Sequence, residues 1–277
     1  MTKIKELENG FKYLYVENKS ASAKIAIQGA HIFHFQKKSE KYLLWVSEKS
    51  NFENGKAIRG GIPICWPWFG EHTVDKSLPK HGFARISQWE LSSVKELDEN
   101  HTEVIMTLSS SSSWAYKFLL TARFVISESL SLSVRTENLD DRNFTISQAL
   151  HTYFSVNNID EVKIDGLEKI EYIDFLNAHR VLQTGSILID KEVDRIYQNV
   201  SYPLNLTDEK HSVKIDSIGS NSSVVWNPWK EKCVNMSDMQ KDSYKNFVCL
   251  ETTNTREDER VIKPKQSHTI YAKYSTS

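Results

Sequence analysis

The sequence holds few of the residues that bend or cross-link a chain, with 10 Gly, 6 Pro and 3 Cys among 277 residues. Cys65, Cys233 and Cys249 are an odd number and have no CxxC spacing. This pattern argues against a disulfide framework and contains no zinc motif. We therefore expect no metal site.

A strong charge of either sign is also missing. The chain has 35 basic and 36 acidic residues, which leaves a formal net charge of -1. A protein that binds nucleic acid or an anionic membrane through its overall charge would be more basic. We therefore expect neither as a partner.

Long hydrophobic runs are absent as well. Charges are spread through the first 20 residues, which lack the apolar stretch of a signal peptide, and no later run approaches the ~20 apolar residues of a membrane span. These features predict a cytoplasmic protein.

Short runs rich in β-branched and aromatic residues fill much of the chain, and long helical periodicity is missing. In "SLSLSVRTEN" at 129–138, Leu130, Leu132 and Val134 alternate with polar residues, as in a half-buried strand. The pattern predicts a mainly β protein, a large sandwich with few helices. The other runs are 11–17, 23–29, 30–36, 118–127, 223–226, 247–251 and 268–274.

The segments between these runs are short and rich in Asn, Asp, Ser and Gly. "NLDDRN" at 138–143 is typical of a hairpin turn. The five serines at 109–113 allow two interpretations, a flexible linker or a hairpin tip, and the strand-like runs on both sides favour the tip. The length fits one large β domain or two ordinary domains. No boundary divides the chain convincingly, so we predict one domain over residues 1–277.

"RGGIPICWPWFG", from Arg59 to Gly70, concentrates Gly, Pro and Trp beside one cation. Gly-Gly lets the backbone turn sharply, prolines stiffen the loop, and the aromatic rings offer flat faces for a sugar. The alternative is a rigid loop that fills the core and leaves an arginine at the surface. The motif alone does not decide between them.

"LPKHGFAR" at 78–85 places Lys80, His81 and Arg85 close together. An arginine fork matches a phosphate or carboxylate, and lysine adds a point charge. If the fold brings Arg59 and Arg85 together, they form a clamp for an anion. Solvated residues at a strand end are the alternative.

Three further residues carry candidate proton chemistry. His151 in "SQALHTYFSV" interrupts an apolar and aromatic strand, where it is either a hydrogen-bonded core residue or a proton donor. Glu251 in "FVCLETTN" ends a very apolar strand, where burial would raise its pKa toward that of a usable base. Asp194 in "EVDRIYQN" is either a binding residue or an ordinary turn or surface residue.

Six segments occur in an order and spacing that resemble one known group. They are "AIRGGIPICWPWFG", "HGFAR", "HTYF", "VDRIY", "VVWNPW" and "FVCLE". Together they resemble the hexose-6-phosphate mutarotase branch of the aldose 1-epimerase family. The resemblance implies a galactose-mutarotase-like β-supersandwich of antiparallel strands.

The resemblance also implies an isomerase that interconverts the α and β anomers of glucose 6-phosphate or a related hexose 6-phosphate, without a metal or organic cofactor. Ring opening requires removal of a proton from the O1 hydroxyl and delivery of one to the ring oxygen, by a base and an acid on different sides of the sugar. By motif, Glu251 is the base and His151 the acid.

The resemblance also implies a set of substrate-binding residues. Arg59 and Arg85 match the positions that hold the 6-phosphate in this branch, and Asp194 is assigned to substrate binding. Lys80 is added for its charge and its place beside them. His81 either binds the sugar or fixes its loop. "ETTN" departs from the family, where a turn containing Pro or Gly often follows the glutamate.

Two alternatives stay open. One is a sugar-binding β-sandwich without turnover, and the other is a mutarotase of unphosphorylated aldoses. We expect a small-molecule sugar phosphate as the partner and a monomer, since no edge strand is marked for pairing with another chain.

Overall fold

The computed structural model describes residues 1–110, 113–209 and 211–277, and strands dominate it. The strands are β1 (Thr2–Glu6), β2 (Lys12–Glu17), β3 (Ala21–Ala26), β4 (His31–Lys37), β5 (Ile64–Cys65), β6 (Glu90–Glu96), β7 (Thr102–Ser109), β8 (Phe118–Ile126), β9 (Ser129–Asn138), β10 (Phe144–Ile146), β11 (Gln148–Leu150), β12 (Tyr153–Ser155), β13 (Val162–Asp165), β14 (Glu171–Asp174), β15 (His179–Leu182), β16 (Ile187–Leu188), β17 (Val193–Gln198), β18 (Leu204–Asp208), β19 (His211–Ile218), β20 (Ser222–Asn227), β21 (Phe247–Asn254), β22 (Arg260–Ile262) and β23 (Ser267–Thr276). The described residues include one short α-helix, α1 (Trp229–Val234), and the 3-10 helices Ala84–Ile86, Ile159–Glu161, Ser243–Asn246 and Arg256–Asp258.

Two large antiparallel sheets form the sandwich. One sheet has nine strands in the order β16-β13-β18-β19-β23-β9-β8-β7-β6. The other has eight, in the order β15-β14-β17-β20-β21-β11-β5, with β12 also paired to β21. Strands β1 to β4 form a four-stranded sheet, and β10 pairs with β22. The predicted mainly β sandwich with few short helices is confirmed.

The hydrophobic core lies between the two large sheets. Leu130, Leu132 and Val134 of β9 are fully buried, as their alternation predicts. From the eight-stranded sheet, Phe154 packs edge-on against Tyr274 of β23 with ring centroids 5.5 Å apart. Side chains of both sheets thus belong to one continuous buried cluster. The extent of the domain, residues 1–277, stays a prediction.

Two predicted turns have different outcomes. Strands β7 and β8 pair on either side of the serine segment, while residues 111 and 112 of the predicted hairpin tip lie outside the described residues. The prediction of a hairpin turn at 138–143 is wrong, because β9 before it and β10 after it belong to different sheets. The Asp140 carboxylate instead accepts hydrogen bonds from the backbone N–H groups of Lys117 and Arg142, which fix this connection.

No helix in the described ranges is long and apolar enough to cross a membrane.

Candidate active site

Strand β21 separates the core from a large cavity. Val248 lies opposite Phe154, whose ring packs on the other large sheet, so this side of β21 faces the core. Because side chains alternate along a strand, Cys249 and Glu251 lie on the opposite side. Glu251 lines a cavity of about 940 Å³ on that outer side.

His151 lies beside Glu251 because β11 and β12 keep one register against β21. Leu150 pairs with Thr252, and Tyr153 pairs with Cys249, so the same register places His151 opposite Glu251. His151 lies in a two-residue break between the strands, where its N–H donates to the carbonyl of Pro63 at 3.1 Å. The prediction that His151 lies within one strand is therefore wrong, although its neighbours on both sides are paired.

The two candidate proton-transfer groups are in direct proximity. His151 Nδ1 lies 3.4 Å from Glu251 Oε1, and the residues are 8% and 2% exposed. Neither His151 Nδ1 nor Glu251 Oε2 has a hydrogen-bond partner among the described residues. The two side chains are adjacent, and the expectation that they act on different sides of a sugar stays a prediction.

Burial favours the neutral form of each partner. Burial, followed by the positive charges of Arg85 and Arg59, holds the pKa of His151 well below its ordinary value. Burial, followed by the negative charge of Asp194, raises the pKa of Glu251 well above its ordinary value. Both shifts favour a neutral imidazole beside a protonated carboxyl in the free site.

Asp194 lies on the same face of the sheet, on β17, which is two strands away from β21. On β20, Trp226 pairs with Asp194 of β17 on one side and with Cys249 of β21 on the other. Asp194 lines the cavity, and burial raises the pKa of its carboxyl. It is therefore part of the pocket wall and not a turn residue.

The expectation that Glu251 ends its strand is wrong, because β21 continues to Asn254. The polar residues after Glu251 find partners inside the sheet, which allows the strand to continue. Thr253 Oγ1 lies 2.7 Å from Ser222 Oγ, and Asn254 Oδ1 accepts from the Gln148 amide at 2.9 Å. "ETTN" is accordingly strand in this chain.

Arg59 is not a lone cation. Its Nε donates to Asp238 Oδ2 at 2.9 Å, and its Nη1 donates to the Tyr153 hydroxyl at 3.0 Å. The Asp238 carboxylate thus balances the charge of the guanidinium, which still lines the cavity. We expected Arg59 to hold an anion together with Arg85, and the ion pair with Asp238 reduces the contribution of Arg59 to the attraction of an anion.

The Gly-Gly pair after Arg59 is required by close backbone contacts. Gly60 and Gly61 have φ values of 113° and 66°, in the region that favours glycine. A Cβ at Gly60 would lie 2.4 Å from the Trp45 carbonyl oxygen, and one at Gly61 would lie 2.4 Å from that of Ile32. The pair fixes the path of the chain as it leaves Arg59.

The aromatic residues that follow divide between core and cavity. Trp66 is fully buried, and its indole N–H donates to Thr136 Oγ1 at 3.1 Å. Pro67, Trp68 and Phe69 line the cavity. Both interpretations of this motif therefore apply to different residues within it.

Lys80 and Arg85 differ from Arg59 because neither has an ion pair with a carboxylate in the described part of the chain. Arg85 Nη2 donates to the carbonyl oxygen of Lys80 at 2.6 Å, and Arg85 Nε is buried without a hydrogen-bond partner. Lys80 is exposed, and both residues line the cavity. Two cations whose charge is not neutralised locally thus lie along one wall.

His81 lies in a left-handed backbone conformation with φ 64°. Its Nδ1 accepts a hydrogen bond from the N–H of Gly70 at 3.2 Å, which assigns the proton to Nε2. Its ring lies 5.5 Å from that of His151, and burial lowers its pKa well below its ordinary value. The contact with Gly70 fixes the loop and leaves Nε2 as a donor, so both earlier interpretations of His81 remain compatible.

One cavity brings together every residue that the sequence singled out. The shared lining includes Arg59, Lys80, His81, Arg85, His151, Asp194 and Glu251.

Sequence reasoning missed four neighbours of this set. Tyr153 shares a face with His151 at strand spacing, and its ring stacks on the imidazole at 4.9 Å, so "HTYF" held a usable signal. Arg256 also lines the cavity, with its guanidinium 5.1 Å from the ring of Phe175. Asp238 lies 179 residues from Arg59, and no local pattern marks it.

The fourth is Cys249, and it belongs to the one group in the described residues that has the composition and spacing of a metal site. His151, Cys249 and Glu251 are buried, and their ligand atoms all lie within 4.8 Å of one another.

Known proteins resemble this chain in sequence and in fold. The family described as Aldose 1-epimerase matches residues 12–275. The protein named "Putative glucose-6-phosphate 1-epimerase" from Escherichia coli is 34% identical over 264 residues, which cover 92% of this chain and 87% of that protein. A protein of the same name from Cenchrus ciliaris is 33% identical over 249 residues, covering 84% of this chain and 75% of that protein.

Solved structures show the same fold. The crystal structure titled as a putative mutarotase from Salmonella typhimurium has a TM-score of 0.93 and 30% identity, and the match covers 100% of this chain and 93% of that one. Galactose 1-epimerase from Lactobacillus acidophilus has a TM-score of 0.75 at 12% identity, covering 100% of this chain and 98% of that one. The second likeness concerns the fold alone.

Proposed function

The chain belongs to the aldose 1-epimerase family, and we propose that it is a mutarotase that interconverts the α and β anomers of a hexose 6-phosphate, with glucose 6-phosphate as its test substrate. The observation that carries this proposal is the buried His151–Glu251 pair in a cavity that also holds unneutralised cations. An epimerase activity follows from the family, while the phosphate and the residue roles are our inference.

In the proposed reaction, Glu251 accepts the proton of the O1 hydroxyl while His151 donates one to the ring oxygen. The bond between C1 and the ring oxygen breaks, and C1 becomes an aldehyde carbon. Both oxygens are bonded to C1, so an adjacent acid and base can serve them together. After rotation about the C1–C2 bond, the ring closes on the other face with the roles reversed. Each assisted transfer contributes about 10²- to 10⁴-fold in rate.

The reactive ionisation state needs no proton from solvent. Neutral His151 with protonated Glu251, and protonated His151 with ionised Glu251, differ only by one proton across the 3.4 Å separation. The charges of Arg85 and Arg59 disfavour the imidazolium in the free site. An anion bound at these arginines would offset that field and favour the charged pair. A substrate phosphate would thus help to prepare its own acid and base.

Lys80 and Arg85 are the proposed main phosphate contacts. Both line the cavity and have no carboxylate partner within the described ranges, so an incoming phosphate does not compete with an existing ion pair. Arg59 retains N–H groups for the substrate, but Asp238 already balances its charge. We therefore assign it to orienting the sugar and its phosphate.

Asp194 and His81 complete the proposed sugar contacts. The Asp194 carboxylate accepts from a sugar hydroxyl, and His81 donates through Nε2 while Gly70 holds its ring. Trp68 and Phe69 provide apolar walls.

Magnetisation transfer between the anomers of glucose 6-phosphate tests this function, with unphosphorylated glucose as the matched substrate. We expect exchange well above the spontaneous rate for the phosphate ester and a lower kcat/KM for glucose. Equal kcat/KM values would identify a mutarotase of free aldoses. Calorimetric binding without added exchange would identify a sugar-binding protein, and either result contradicts the proposal.

A further inference from the structure

We propose that His151, Cys249 and Glu251 bind a thiophilic divalent cation such as Zn²⁺, and that the bound ion reversibly blocks the site. The inhibition rests on the proposed function, whereas the binding does not. The inference starts from three buried side chains, two from β21 and one from the break between β11 and β12, and no zinc motif in the sequence marks them.

The donor set matches zinc. Thiolate, imidazole and carboxylate are its usual protein ligands, while Mg²⁺ and Ca²⁺ prefer oxygen donors alone. Bonds of about 2.0–2.2 Å to nitrogen and oxygen place two ligands of a tetrahedral ion about 3.4 Å apart. His151 Nδ1 and Glu251 Oε1 are separated by 3.4 Å. All ligand atoms of the group, including Cys249 Sγ, lie within 4.8 Å of one another.

Two of the ligand side chains have unused binding capacity. His151 Nδ1 and Glu251 Oε2 are buried and have no hydrogen-bond partner among the described residues. Buried polar atoms normally have hydrogen-bond partners, and an unpaired one destabilises the fold. A metal ion would satisfy both at once. Cys249 is fully buried and lies two residues before Glu251 on the same face of β21.

The surrounding charges allow a cation. When an ion binds, it displaces the protons of the Cys249 thiol and the Glu251 carboxyl, which then contribute two negative charges, and Asp194 adds a third nearby. Arg85 and Arg59 oppose the ion, but Asp238 balances Arg59. The cavity supplies access for a water molecule as the fourth ligand. Such an ion would occupy both proton-transfer groups and exclude the sugar from them.

Cobalt binding followed by absorption spectroscopy tests the site directly, since a thiolate bound to Co²⁺ gives a charge-transfer band in the near ultraviolet. We expect the band in the native protein, its loss in Cys249→Ser, and its retention in Cys233→Ser. Cys233 is a matched buried cysteine whose thiol donates to the carbonyl of Gln240 outside the trio. Circular dichroism confirms that each variant is folded. If Cys249→Ser does not fold, the test uses folded His151→Gln instead, in which we also expect the band to be lost.

Zinc inhibition forms the second arm, measured relative to the zinc-free rate of each protein. Loss of Cys249 should raise the inhibitory zinc concentration by at least about tenfold, with full recovery after chelation. Absence of the cobalt band in the native protein, or its persistence in Cys249→Ser, would overturn the metal site. A cobalt band without epimerase activity would instead overturn only the proposed function.

Discussion

The sheet face that carries His151 and Glu251 differs in construction from the cationic loop at 78–85. On the sheet, two buried side chains occupy directly opposite strand positions, and burial favours their neutral forms. On the loop, Lys80 and Arg85 keep their charges without a carboxylate partner in the described structure. The comparison separates two tasks. In the proposed function, proton transfer relies on groups that are buried away from water, while recognition of a phosphate relies on charge that remains available.

The largest expected effect on catalysis comes from replacing Glu251 on the sheet face. Glu251→Gln removes the proposed base, so kcat should fall by about 10²- to 10⁴-fold on both glucose 6-phosphate and glucose. Anomer exchange by NMR measures both. Glu231→Gln makes the same chemical change on the exposed side of α1 and serves as the control. Full activity of Glu251→Gln would refute the assigned mechanism.

Replacing Arg85 on the loop at 78–85 should have a smaller effect, limited to the phosphorylated substrate. Arg85→Ala removes an unneutralised cation, so kcat/KM for glucose 6-phosphate should fall about 10- to 100-fold, while that for glucose stays nearly constant. Lys191→Ala removes an exposed positive charge outside the cavity and is the comparison variant. An equal loss on both sugars would show that Arg85 supports the pocket as a whole.

The pH dependence of kcat/KM tests the link between Asp194 and the pair. The negative charge of Asp194 helps to raise the pKa of Glu251, so Asp194→Asn should lower that pKa. The proton shared by His151 and Glu251 is then lost at a lower pH, so the alkaline limb of the kcat/KM profile shifts to lower pH. Asp190→Asn, at an exposed position, controls for a change in net charge. An alkaline limb that stays in place or moves up would contradict the coupling.

The smallest expected effect concerns stability. The pKa of Glu251 is higher in the folded protein than in the unfolded chain, so its contribution to stability is present at low pH and declines as pH rises. Glutamine does not titrate. The Tm of Glu251→Gln relative to the native protein should therefore increase between about pH 5 and pH 8, by about 2–4 °C for each kcal/mol. A difference in Tm that is constant with pH would argue against burial as the cause of the shift.

The sequence predicted the strands and the members of the site better than it predicted their contacts. Alternation predicted β9 with its bounds at 129–138, since the period of two reflects burial of one face. His151 and Glu251 were identified by motif, but their adjacency depends on a strand register between segments 100 residues apart. The Arg59–Asp238 ion pair has no local signal, because a long-range fold contact creates it.

Local sequence patterns also gave wrong predictions at two segments of polar residues. Thr253 and Asn254 extend a strand that their polarity suggested would end, because Ser222 and Gln148 satisfy them. The segment at 138–143 has the composition of a hairpin turn, yet it connects two different sheets. Composition describes which backbone shapes a segment can adopt, and tertiary partners decide which one it takes.

The unpaired cations also bear on how fast a ligand arrives. In a protein of formal net charge -1, the positive side chains of Lys80, Arg85 and Arg256 meet in one concave region. The cavity lining has six Lys and Arg residues against four Asp and Glu residues, and an excess of one charge in a concave surface raises the rate of diffusional encounter with an oppositely charged ligand. Salt screens this field over about 8–10 Å at physiological ionic strength. Association of a sugar phosphate should therefore slow as salt rises, whereas that of a neutral sugar should hardly change.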